Sequence, residues 1–367
     1  MRTLLVTGGA GFIGTNFVRQ WVGSHPRDRV VVLDALTYAG NFANLTDLQG
    51  LPNFVFVQGN ILDEKIVETL MLEYSVNVII HFAAESHVDR SILGPDAFVQ
   101  TNVVGTHALL KVAKTCWLDR GTGQPHRFHH VSTDEVYGSL GPEVPAFRET
   151  TSYAPNSPYA ASKASSDHFV RAYQETYGLE TSISNCSNNY GPYQFPEKLI
   201  PLCISNILDG KVLPIYGDGL QIRDWLFVED HNQGIERILE DGRVGETYNI
   251  GGNNEWTNLD IVQHICALID DRFRLDLDLA CRFPLAPPAT GKASDSLIKH
   301  VKDRAGHDRR YAVDTQKINH ELDYSPRESF KTGMDKTLDW YLKNEAWWRA
   351  LMDRDYQDWM ETQYSES

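Results

Sequence analysis

Short apolar runs rich in β-branched residues alternate with longer segments of helical periodicity through the first half of the chain. The runs cover residues 4–7, 30–34, 54–58, 78–82 and 127–133. This alternation predicts βαβ units, in which parallel strands form one sheet and the helices cover its faces. Between the last two runs, residues 98–117 carry apolar side chains at helical spacing, which predicts a helix there.

The pattern changes after about residue 178, where segments rich in Pro, Gly and aromatic residues replace the regular alternation. Such segments are typical of a binding lobe built from loops around the end of a sheet. The expected fold is therefore α/β, a doubly wound parallel sheet with a smaller C-terminal substrate-binding lobe. The sheet lobe is expected to span residues 1–187 with a return segment near 226–250, the smaller lobe residues 188–225 and 251–345, and a C-terminal tail residues 346–367.

One segment has a biased composition. Residues 282–296 are rich in Pro, Ala and other small residues. Pro-rich loops are more often solvated connectors than gates, so we predict a connector, with a mobile lid as the alternative.

Composition and charge narrow the choice of partners. The chain of 367 residues has a net charge of −15, which argues against nucleic acid or an anionic membrane as a partner, since both require a basic face. No stretch approaches the roughly 20 apolar residues of a membrane span, and the first apolar run leads into glycines rather than a cleavage site. The expected location is therefore cytoplasmic. The five cysteines lack metal-ligand spacing, so no metal is expected.

Three glycines, Gly8, Gly11 and Gly14, follow the first predicted strand at intervals of three residues. Without side chains they permit a tight turn, close approach of backbone N–H groups to a pyrophosphate, and packing of the next helix on its strand. Asp34 ends the second strand, about 20 residues further on, where a carboxylate binds ribose hydroxyls and repels a 2′-phosphate. The spacing predicts a site for NAD rather than NADP, with Asn60 near the adenine.

A tyrosine and a lysine share one face of a predicted helix that begins after residue 157. Ser157 is a suitable N-cap, and Pro158 occupies the first helical position, where its missing N–H has no cost. Tyr159 and Lys163 then lie one turn apart. A nearby ammonium and a cationic nicotinamide both favour the phenolate, which can remove a proton from an alcohol while its hydride leaves. Thr133, at the end of the fifth strand, is placed to hold that alcohol.

Two adjacent carboxylates, Asp134 and Glu135, directly follow Thr133. Composition alone favours a solvated turn here. The chemistry of a hexose gives the pair a different meaning, because oxidation of C4 to a ketone makes the C5 proton acidic. A base at C5 and an acid at the C6 hydroxyl then suffice to expel water, and two carboxyl groups in different environments supply both.

These motifs and others along nearly the whole chain resemble the extended short-chain dehydrogenase/reductase family, and within it the bacterial dTDP-glucose 4,6-dehydratases. The matching segments are residues 8–14 (GGAGFIG), 83–91 (AAESHVDRS), 132–138 (STDEVYG), 188–193 (NNYGPY), 198–202 (KLIPL), 223–225 (RDW) and 306–311 (GHDRRY). Two features depart from the family pattern. Asn60 stands where an Asp is usual, and residues 282–296 are longer than the family norm.

The resemblance implies a Rossmann lobe that holds NAD tightly and regenerates it at each turnover, a nucleotide-sugar lobe, and a homodimer formed through helices near residues 98–117 and 159–177. The implied activity converts dTDP-glucose to dTDP-4-keto-6-deoxyglucose and water, a step toward rhamnose or another deoxysugar.

The resemblance also assigns roles to the five residues of the two motifs. Tyr159 is the oxidation base, Lys163 orients the cofactor and the tyrosine, and Thr133 holds the 4-hydroxyl. Asp134 protonates the departing C6 hydroxyl, and Glu135 takes the C5 proton.

The binding residues implied by the resemblance form two overlapping sets. Those expected to contact NAD are Gly8, Gly11, Phe12, Ile13, Gly14, Asp34, Leu36, Thr37, Asn60, Ile61, Ala83, Ala84, Ser86, Thr101, Tyr159, Lys163 and Asn188. Those expected to contact the nucleotide sugar are Ser86, His87, Thr133, Asn188, Lys198, Leu199, Pro214, Tyr216, Arg223, Asn258, His307, Arg309, Arg310 and Tyr311. Four cations in the second set, Lys198, Arg223, Arg309 and Arg310, suit a pyrophosphate, and the planar fork of arginine suits it well.

Three alternatives compete with this function. A nucleotide-sugar 4-epimerase or a decarboxylase keeps the glycines and the Tyr–Lys pair but has no need of adjacent acids; by resemblance, epimerases carry uncharged residues there and GDP-mannose dehydratases keep only the glutamate. Residues 307–311 resemble the dTDP-specific branch, so UDP-glucose is the runner-up substrate. A catalytically silent NAD-binding protein would typically have lost the tyrosine, the lysine or the acid, and this chain keeps all three.

Overall fold

A seven-stranded parallel sheet forms the centre of the molecule in a computed structural model that describes residues 1–121, 123–304 and 306–352. Its order is β3-β2-β1-β4-β5-β6-β10, and the five strands predicted from the sequence are confirmed to within one residue at each end. In chain order, the strands are β1 Thr3–Thr7, β2 Arg29–Asp34, β3 Phe54–Gln58, β4 Val78–His81, β5 Arg127–Thr133, β6 Thr181–Cys186, β7 Asn188–Tyr190, β8 Leu213–Tyr216, β9 Ile222–Phe227, β10 Thr247–Ile250, β11 Glu255–Thr257, β12 Ile298–Val301 and β13 Arg310–Tyr311.

Helices cover both faces of this sheet and build most of the second lobe. They are α1 Phe12–Ser24, α2 Glu64–Glu73, α3 Val88–Leu93, α4 Pro95–Phe98, α5 Thr106–Lys114, α6 Pro158–Tyr177, α7 Leu199–Leu208, α8 Val228–Asp241, α9 Asn258–Leu275, α10 Asp278–Arg282, α11 Gln316–Leu322, α12 Phe330–Lys343 and α13 Glu345–Leu351. Within the described part of the chain, no helix is both long and apolar enough to cross a bilayer.

Two hydrophobic cores lie on opposite faces of the sheet, because side chains alternate in direction along a strand. Leu4 and Val6 of β1 pack with α1, α8 and α11 on one face, whereas Leu5 packs with α2, α5 and α6 on the other. All five residues of β1 are buried. A strand buried on both faces is apolar along most of its length, which is why the first runs in the sequence show no polar alternation.

The two helices that the sequence predicts most clearly are both present. The chain is helical from Pro95 to Asp119, with π-helical segments at Val99–Gly105 and Thr115–Asp119 that the sequence did not indicate. The helix α6 begins as predicted, since the Ser157 hydroxyl accepts a hydrogen bond from the Ala160 amide at 3.0 Å and Pro158 follows the cap.

The second lobe has its own small sheets and its own core. Strands β11, β9 and β13 pair side by side, β7 pairs with β9, and β8 pairs with β12. Helices α7, α9 and α12 pack against these strands around a third hydrophobic core. In chain order, α8 and β10 lie between β9 and β11 of the second lobe, and they return the chain to the central sheet. The residue boundaries given above for the two lobes stay a prediction.

The segment at residues 282–296 packs into the second lobe. Phe283 and Ala286 are buried in the third core, and the Ser294 hydroxyl donates a 2.5 Å hydrogen bond to Asp270. Short 3-10 helices form at Pro287–Thr290 and Ser294–Leu297. The prediction of a solvated connector is therefore wrong for Phe283, Ala286 and Ser294, which are buried, whereas Leu285 between them is 70% exposed.

Helix α13, the last helix of the described residues, connects the two lobes. Trp348 is fully buried in the third core, and its indole N–H donates to the Tyr341 carbonyl at 3.1 Å. The indole N–H of Trp347 donates to the Asn44 side chain of the first lobe at 2.7 Å. The start of the segment expected to be a C-terminal tail is thus part of the folded unit, and residues 353–367 of that segment lie outside the described residues.

Truncation of Trp348 tests how much α13 contributes to stability. Because the indole is fully buried, we expect Trp348→Ala to lower the free energy of unfolding by about 3–5 kcal/mol. Leu275→Ala, at a side chain that is 84% exposed, is the control and should change it by less than about 0.5 kcal/mol. Denaturant unfolding of both variants measures the difference; equal stabilities would mean that α13 packs only loosely.

Candidate active site

A cavity of about 330 Å³ opens at the carboxyl edge of the central sheet, where the strand order reverses between β1 and β4. In doubly wound sheets this crevice is where ligands bind, because the loops leaving the two strands diverge. Its walls come from the ends of β1, β2, β4 and β5, from α6, and from the segment before α7.

The glycine turn forms one wall of the cavity and has no space for side chains. A Cβ on Gly8, whose φ is +70°, would lie 2.6 Å from the Ala83 amide nitrogen, and one on Gly14 would lie 2.3 Å from the Gly8 carbonyl oxygen. Gly11 caps α1 without any side-chain hydrogen bond to the first turn. The amide groups at this helix terminus therefore face the cavity without a protein side chain in between, which is the arrangement that holds a pyrophosphate.

Asp34 lies at the end of β2 beside the glycine turn. Its carboxylate accepts hydrogen bonds from the Ala10 amide at 2.9 Å and the Leu36 amide at 2.8 Å. Burial raises the pKa of this carboxyl, and the two backbone bonds lower it. These bonds fix the carboxylate at the rim of the cavity, where it is suited to ribose hydroxyls.

Nearly all the residues expected to contact NAD line this one cavity. Leu36 is the exception, since it packs against the first core and adopts a φ of +51° in the turn after β2. The side-chain oxygen of Asn60 accepts a bond from the Leu62 amide at 2.9 Å. The residues that line the cavity are Gly8, Gly11, Phe12, Ile13, Gly14, Asp34, Thr37, Asn60, Ile61, Ala83, Ala84, Ser86, Thr101, Tyr159, Lys163 and Asn188.

The tyrosine and lysine of α6 meet the end of β5 inside the cavity. Tyr159 and Thr133 both line the cavity, and the Thr133 hydroxyl acts to lower the pKa of the phenol. Burial, followed by the nearby Glu135 carboxylate, raises the pKa of Tyr159 well above its ordinary value. Positive charge next to this phenol is therefore needed before it can act as a base, and Lys163 is the cation one turn further along α6.

Lys163 is itself buried among polar groups that the sequence did not single out. Its ammonium donates to the Val131 carbonyl at 2.8 Å and lies 3.4 Å from His130 Nε2. Burial lowers the pKa of Lys163 to about 8, and the charge of Asp167 raises it. Asp167 lies one helical turn beyond Lys163 and accepts a 2.9 Å bond from Ser132. The i, i+4 spacing of Lys163 and Asp167 was a signal that could have identified this carboxylate.

The two adjacent acids occupy different electrostatic environments. Burial and then the charges of Glu135 and Asp224 raise the pKa of Asp134 well above its ordinary value. Burial also raises the pKa of Glu135, but three cations lower it, led by Arg304. Asp134 is thus the member that holds a proton more readily and Glu135 the one more readily ionised, which is the difference that an acid and a base require.

The cations beside Glu135 come from three separate segments of the second lobe. Lys198 lies before α7 and donates to the Ser86 carbonyl at 2.9 Å, and Arg223 on β9 lies over the Tyr311 ring at 4.2 Å. Arg304 pairs with Asp89 at 3.3 Å. Arg304 was missed from the sequence, since nothing distinguished it from a surface cation; only the fold brings it to the acid pair.

The residues expected to contact the nucleotide sugar are divided between the cavity and its surroundings. Ser86, Thr133, Asn188 and Lys198 line the cavity. The others lie outside the lining residues: His87, Leu199, Pro214, Tyr216, Arg223, Asn258, His307, Arg309, Arg310 and Tyr311. His307 and Tyr216 have ring centroids 6.1 Å apart.

Two of the expected pyrophosphate cations are engaged by acids elsewhere. Arg309 pairs with Asp218 at 3.0 Å on the surface. Arg310 pairs with Glu255 at 2.5 Å and donates to the Val144 carbonyl at 2.6 Å, which fixes the loop after β5 against β13.

Asp134 is also absent from the cavity lining, because it is 2% exposed, and one of its oxygens is buried without a hydrogen-bond partner.

Comparisons with known proteins agree with this geometry. Residues 5–337 match the family model described as GDP-mannose 4,6 dehydratase. A dTDP-glucose 4,6-dehydratase from Xanthomonas campestris is 54% identical over 358 residues, covering 97% of each chain, and dTDP-glucose 4,6-dehydratase 1 from Escherichia coli is 49% identical over 371 residues, covering 98% of each.

The chain is also similar in fold to solved structures of dTDP-glucose 4,6-dehydratases. The dTDP-glucose 4,6-dehydratase from Bacillus anthracis, in complex with NAD, is 45% identical with a TM-score of 0.82, covering 96% of this chain and 100% of that one. DesIV from Streptomyces venezuelae, a dTDP-glucose 4,6-dehydratase with NAD and TYD bound, is 47% identical with a TM-score of 0.82, covering 95% and 99%. A UDP-glucose 4-epimerase from Thermotoga maritima is only 26% identical, with a TM-score of 0.76.

The doubly wound sheet, the glycine turn and the Tyr–Lys pair on α6 define an NAD-dependent enzyme of the extended short-chain dehydrogenase/reductase class. The sequence identity of about 50% to dTDP-glucose 4,6-dehydratases, over almost the full length of the chain, identifies the family within this class. The chain belongs to the dTDP-glucose 4,6-dehydratase family.

Replacement of Asp34 tests the cofactor site. Asp34→Asn removes the charge that favours ribose hydroxyls and places an NH2 donor against a backbone N–H. We therefore expect NAD affinity to fall by about 10- to 100-fold, as for a lost charged hydrogen bond. Chromatography of the nucleotide released from purified protein measures the NAD retained. Asp47→Asn, on the surface beside Arg19, is the control. Equal NAD content in the two variants would contradict the assignment of Asp34.

Proposed function

We propose that this protein converts dTDP-glucose to dTDP-4-keto-6-deoxyglucose and water. The observation that carries the proposal is the pair of adjacent carboxyl groups, Asp134 raised in pKa and Glu135 among cations, at the end of the strand that meets Tyr159. A simple dehydrogenase or epimerase has no use for both acid and base next to its oxidation site. The names of the relatives support dTDP-glucose as the substrate.

The residues that line the cavity fit NAD. The glycine turn is suited to the pyrophosphate, Asp34 to the adenosine ribose, and Lys163 to the nicotinamide ribose beside Tyr159. The bound cofactor would supply a hydride acceptor for C4 of the sugar and, once reduced, a hydride donor for C6. Because the cofactor leaves the reaction in its original state, one retained molecule serves every turnover.

Oxidation at C4 requires a base and a means of holding the alcohol. The Tyr159 phenolate takes the proton of the 4-hydroxyl, which the Thr133 hydroxyl positions. Lys163 holds the tyrosine in the ionised form by its charge and by its place one turn along α6. The buried Asp167 next to Lys163 opposes loss of the ammonium proton.

Elimination follows from the acidity that the new ketone gives to C5. Glu135 removes the C5 proton, and Asp134 protonates the C6 hydroxyl as it leaves as water. Glu135 returns its proton to C5 when C6 is reduced. The cations Lys198, Arg223 and Arg304 favour the ionised Glu135, and their positive charge is suited to the pyrophosphate of the substrate.

Several finer features are part of the proposal. The base of the nucleotide is recognised around residues 307–311, and Asn258, Pro214 and Tyr216 lie on the same lobe. We propose a homodimer through helices 98–117 and 159–177, because Val99, Val104, Phe169 and Tyr177 on them are exposed apolar side chains. The cytoplasm is the compartment we propose, and the product would feed rhamnose or another deoxysugar.

Mass spectrometry of the products tests the activity directly. Purified protein is incubated without added cofactor with dTDP-glucose and with UDP-glucose in separate reactions. We expect loss of one water from dTDP-glucose. Loss of water from UDP-glucose at a similar rate would favour the runner-up substrate, and an unchanged mass with appearance of the C4 epimer would contradict a dehydratase.

Substitution of the two acids separates oxidation from elimination. We expect Asp134→Asn and Glu135→Gln to permit reduction of bound NAD by dTDP-glucose, while water loss slows by about 10²- to 10⁴-fold, the usual effect of removing a general acid or base. Absorbance at the wavelength of reduced NAD follows the first step, and mass spectrometry follows the second. Glu68→Gln, an exposed acid of α2, is the control. Equal loss of both steps would refute the assignment.

A further inference from the structure

Four polar side chains are buried together where α6 packs against β5. His130 and Ser132 lie two residues apart on β5, so they project from the same face of the strand. Lys163 and Asp167 lie four residues apart on α6 and share one face of that helix. Two regular elements thus hold an ammonium, a carboxyl group, an imidazole and a hydroxyl against one another.

The contacts among these four side chains run in series. The Lys163 ammonium lies 3.4 Å from His130 Nε2, and the same nitrogen lies 3.2 Å from Asp167 Oδ1. The Ser132 hydroxyl donates to Asp167 Oδ2 at 2.9 Å, while Oδ1 is buried without a hydrogen-bond partner. The imidazole therefore lies between the ammonium and the carboxylate, and β5 fixes the carboxylate through its other oxygen.

Solvent does little to balance the charge of Lys163. The exposed fraction is 4% for Lys163, 2% for Asp167 and 0% for His130. An ammonium buried without a counter-charge tends to lose its proton, because charge is costly away from water. Burial also lowers the pKa of His130 well below its ordinary value, so the imidazole is neutral. The negative charge near the ammonium therefore comes from Asp167 rather than from its neighbour in the series.

The other titratable groups around Lys163 add no fixed charge. Burial raises the pKa of the Cys186 thiol on β6 to about 12, which keeps that group neutral. Burial lowers the pKa of His81 on β4 well below its ordinary value, and this imidazole is neutral as well. Tyr159, on the preceding turn of α6, changes its charge during the proposed reaction. The counter-charge of Lys163 is thus the single carboxylate one turn further along the helix.

The groups that face Asp167 favour its ionised form. Burial raises the pKa of Asp167 to about 6, whereas Lys163, Ser132, Tyr153 and His168 all act to lower it. The carboxyl group is therefore ionised at neutral pH, and a buried ion pair bridged by an imidazole lies directly behind the proposed oxidation base.

We propose that Asp167, with His130 between the two charges, is a positioning residue that keeps Lys163 in its ammonium form beside Tyr159. The inference rests on the proposed function and deepens it. When Lys163 and Tyr159 together hold one titratable proton, it lies either on the nitrogen, which leaves a phenolate, or on the oxygen, which leaves a neutral pair. The charge of Asp167 favours the first arrangement, and only that arrangement can accept the proton of the 4-hydroxyl.

The pH dependence of the first step tests this role in the holoenzyme. Burial lowers the pKa of Lys163 to about 8 and Asp167 raises it, so loss of the carboxylate lowers it further. As the pH rises, reduction of bound NAD by dTDP-glucose should therefore decline about one pH unit earlier in Asp167→Asn than in the unmodified protein. The rate at neutral pH should fall by about 10-fold.

Asp278→Asn, at an exposed carboxyl group on α10, is the matched control and should change neither quantity. A decline at the same pH in Asp167→Asn and in the unmodified protein, with a lower rate throughout, is what a purely structural role would give, and it would overturn the proposal.

Ionisation of Tyr159 without substrate gives a second test, in which the sign of the change decides. The ultraviolet absorbance of tyrosinate is titrated in the holoenzyme, and the same titration of Tyr159→Phe is subtracted to isolate this one phenol. Asp167→Asn should lose tyrosinate at neutral pH, because the shared proton moves from Lys163 to the phenol. A direct effect on the phenol has the opposite sign, since removal of a negative charge favours the phenolate. A gain in tyrosinate, or no change, would overturn the proposal.

A double-mutant cycle shows whether the effect passes through Lys163. In Lys163→Met the ammonium is absent, so addition of Asp167→Asn should not lower the rate of the first step further. An equal fold loss with and without Lys163 would mean that Asp167 acts by another route, and the proposal would fail.

Two further variants serve if Asp167→Asn does not fold. Asp167→Glu keeps the charge and should decline at the same pH as the unmodified protein. Ser132→Ala removes a hydrogen bond that favours the ionised carboxylate, so its decline should move to lower pH by a smaller amount. A shift to higher pH in Ser132→Ala would contradict the proposal. Failure of dTDP-glucose to reduce NAD in the unmodified protein would refute the proposed function instead, and the tyrosinate titration, which needs no substrate, would still decide the role of Asp167.

Discussion

Two neighbouring carboxyl groups buried in one crevice cannot both be ionised at low cost, and this constraint governs how the two lobes are joined. Asp134 and Glu135 both belong to the first lobe, whereas the cations that favour ionisation of Glu135 belong to the second. Without these cations, burial would raise the pKa of both acids unopposed. The separation into an acid and a base is therefore a property of the interface between the lobes rather than of the strand end that carries the pair.

Much of the first lobe could be predicted because its signals are local. The apolar runs, the three glycines and the Ser-Pro start of α6 each specify structure through neighbours a few residues away, and the strands and α6 appeared where expected. The second lobe was harder. Residues 282–296 are mostly prolines and small residues, a composition that predicts a solvated linker. The few apolar residues that reach the core, such as Phe283 and Ala286, form no periodic pattern that would have indicated burial.

The residues of the candidate site also differ in how well the sequence predicts their positions. Residues that follow a strand or begin a helix, such as Thr133 and Tyr159, were placed correctly in one cavity by topology alone. Arg304 was not identified, and Arg310 was expected at the pyrophosphate but pairs with Glu255. The direction in which a long cationic side chain points depends on contacts far away in sequence, so no pattern in the chain distinguishes an arginine that faces the site from one that holds a loop.

The position of α13 bears on how substrate enters. Trp348 anchors this helix in the core of the second lobe, while Trp347 bonds to Asn44, whose side-chain amide in turn donates to the Ala10 carbonyl of the glycine turn at 3.1 Å. The last helix of the described residues thus connects the second lobe to the glycine turn, and any opening of the two lobes at this point would have to break that contact. Substrate exchange that leaves α13 in place therefore leaves the glycine turn in place, and a dinucleotide bound at that turn would be retained from one reaction cycle to the next.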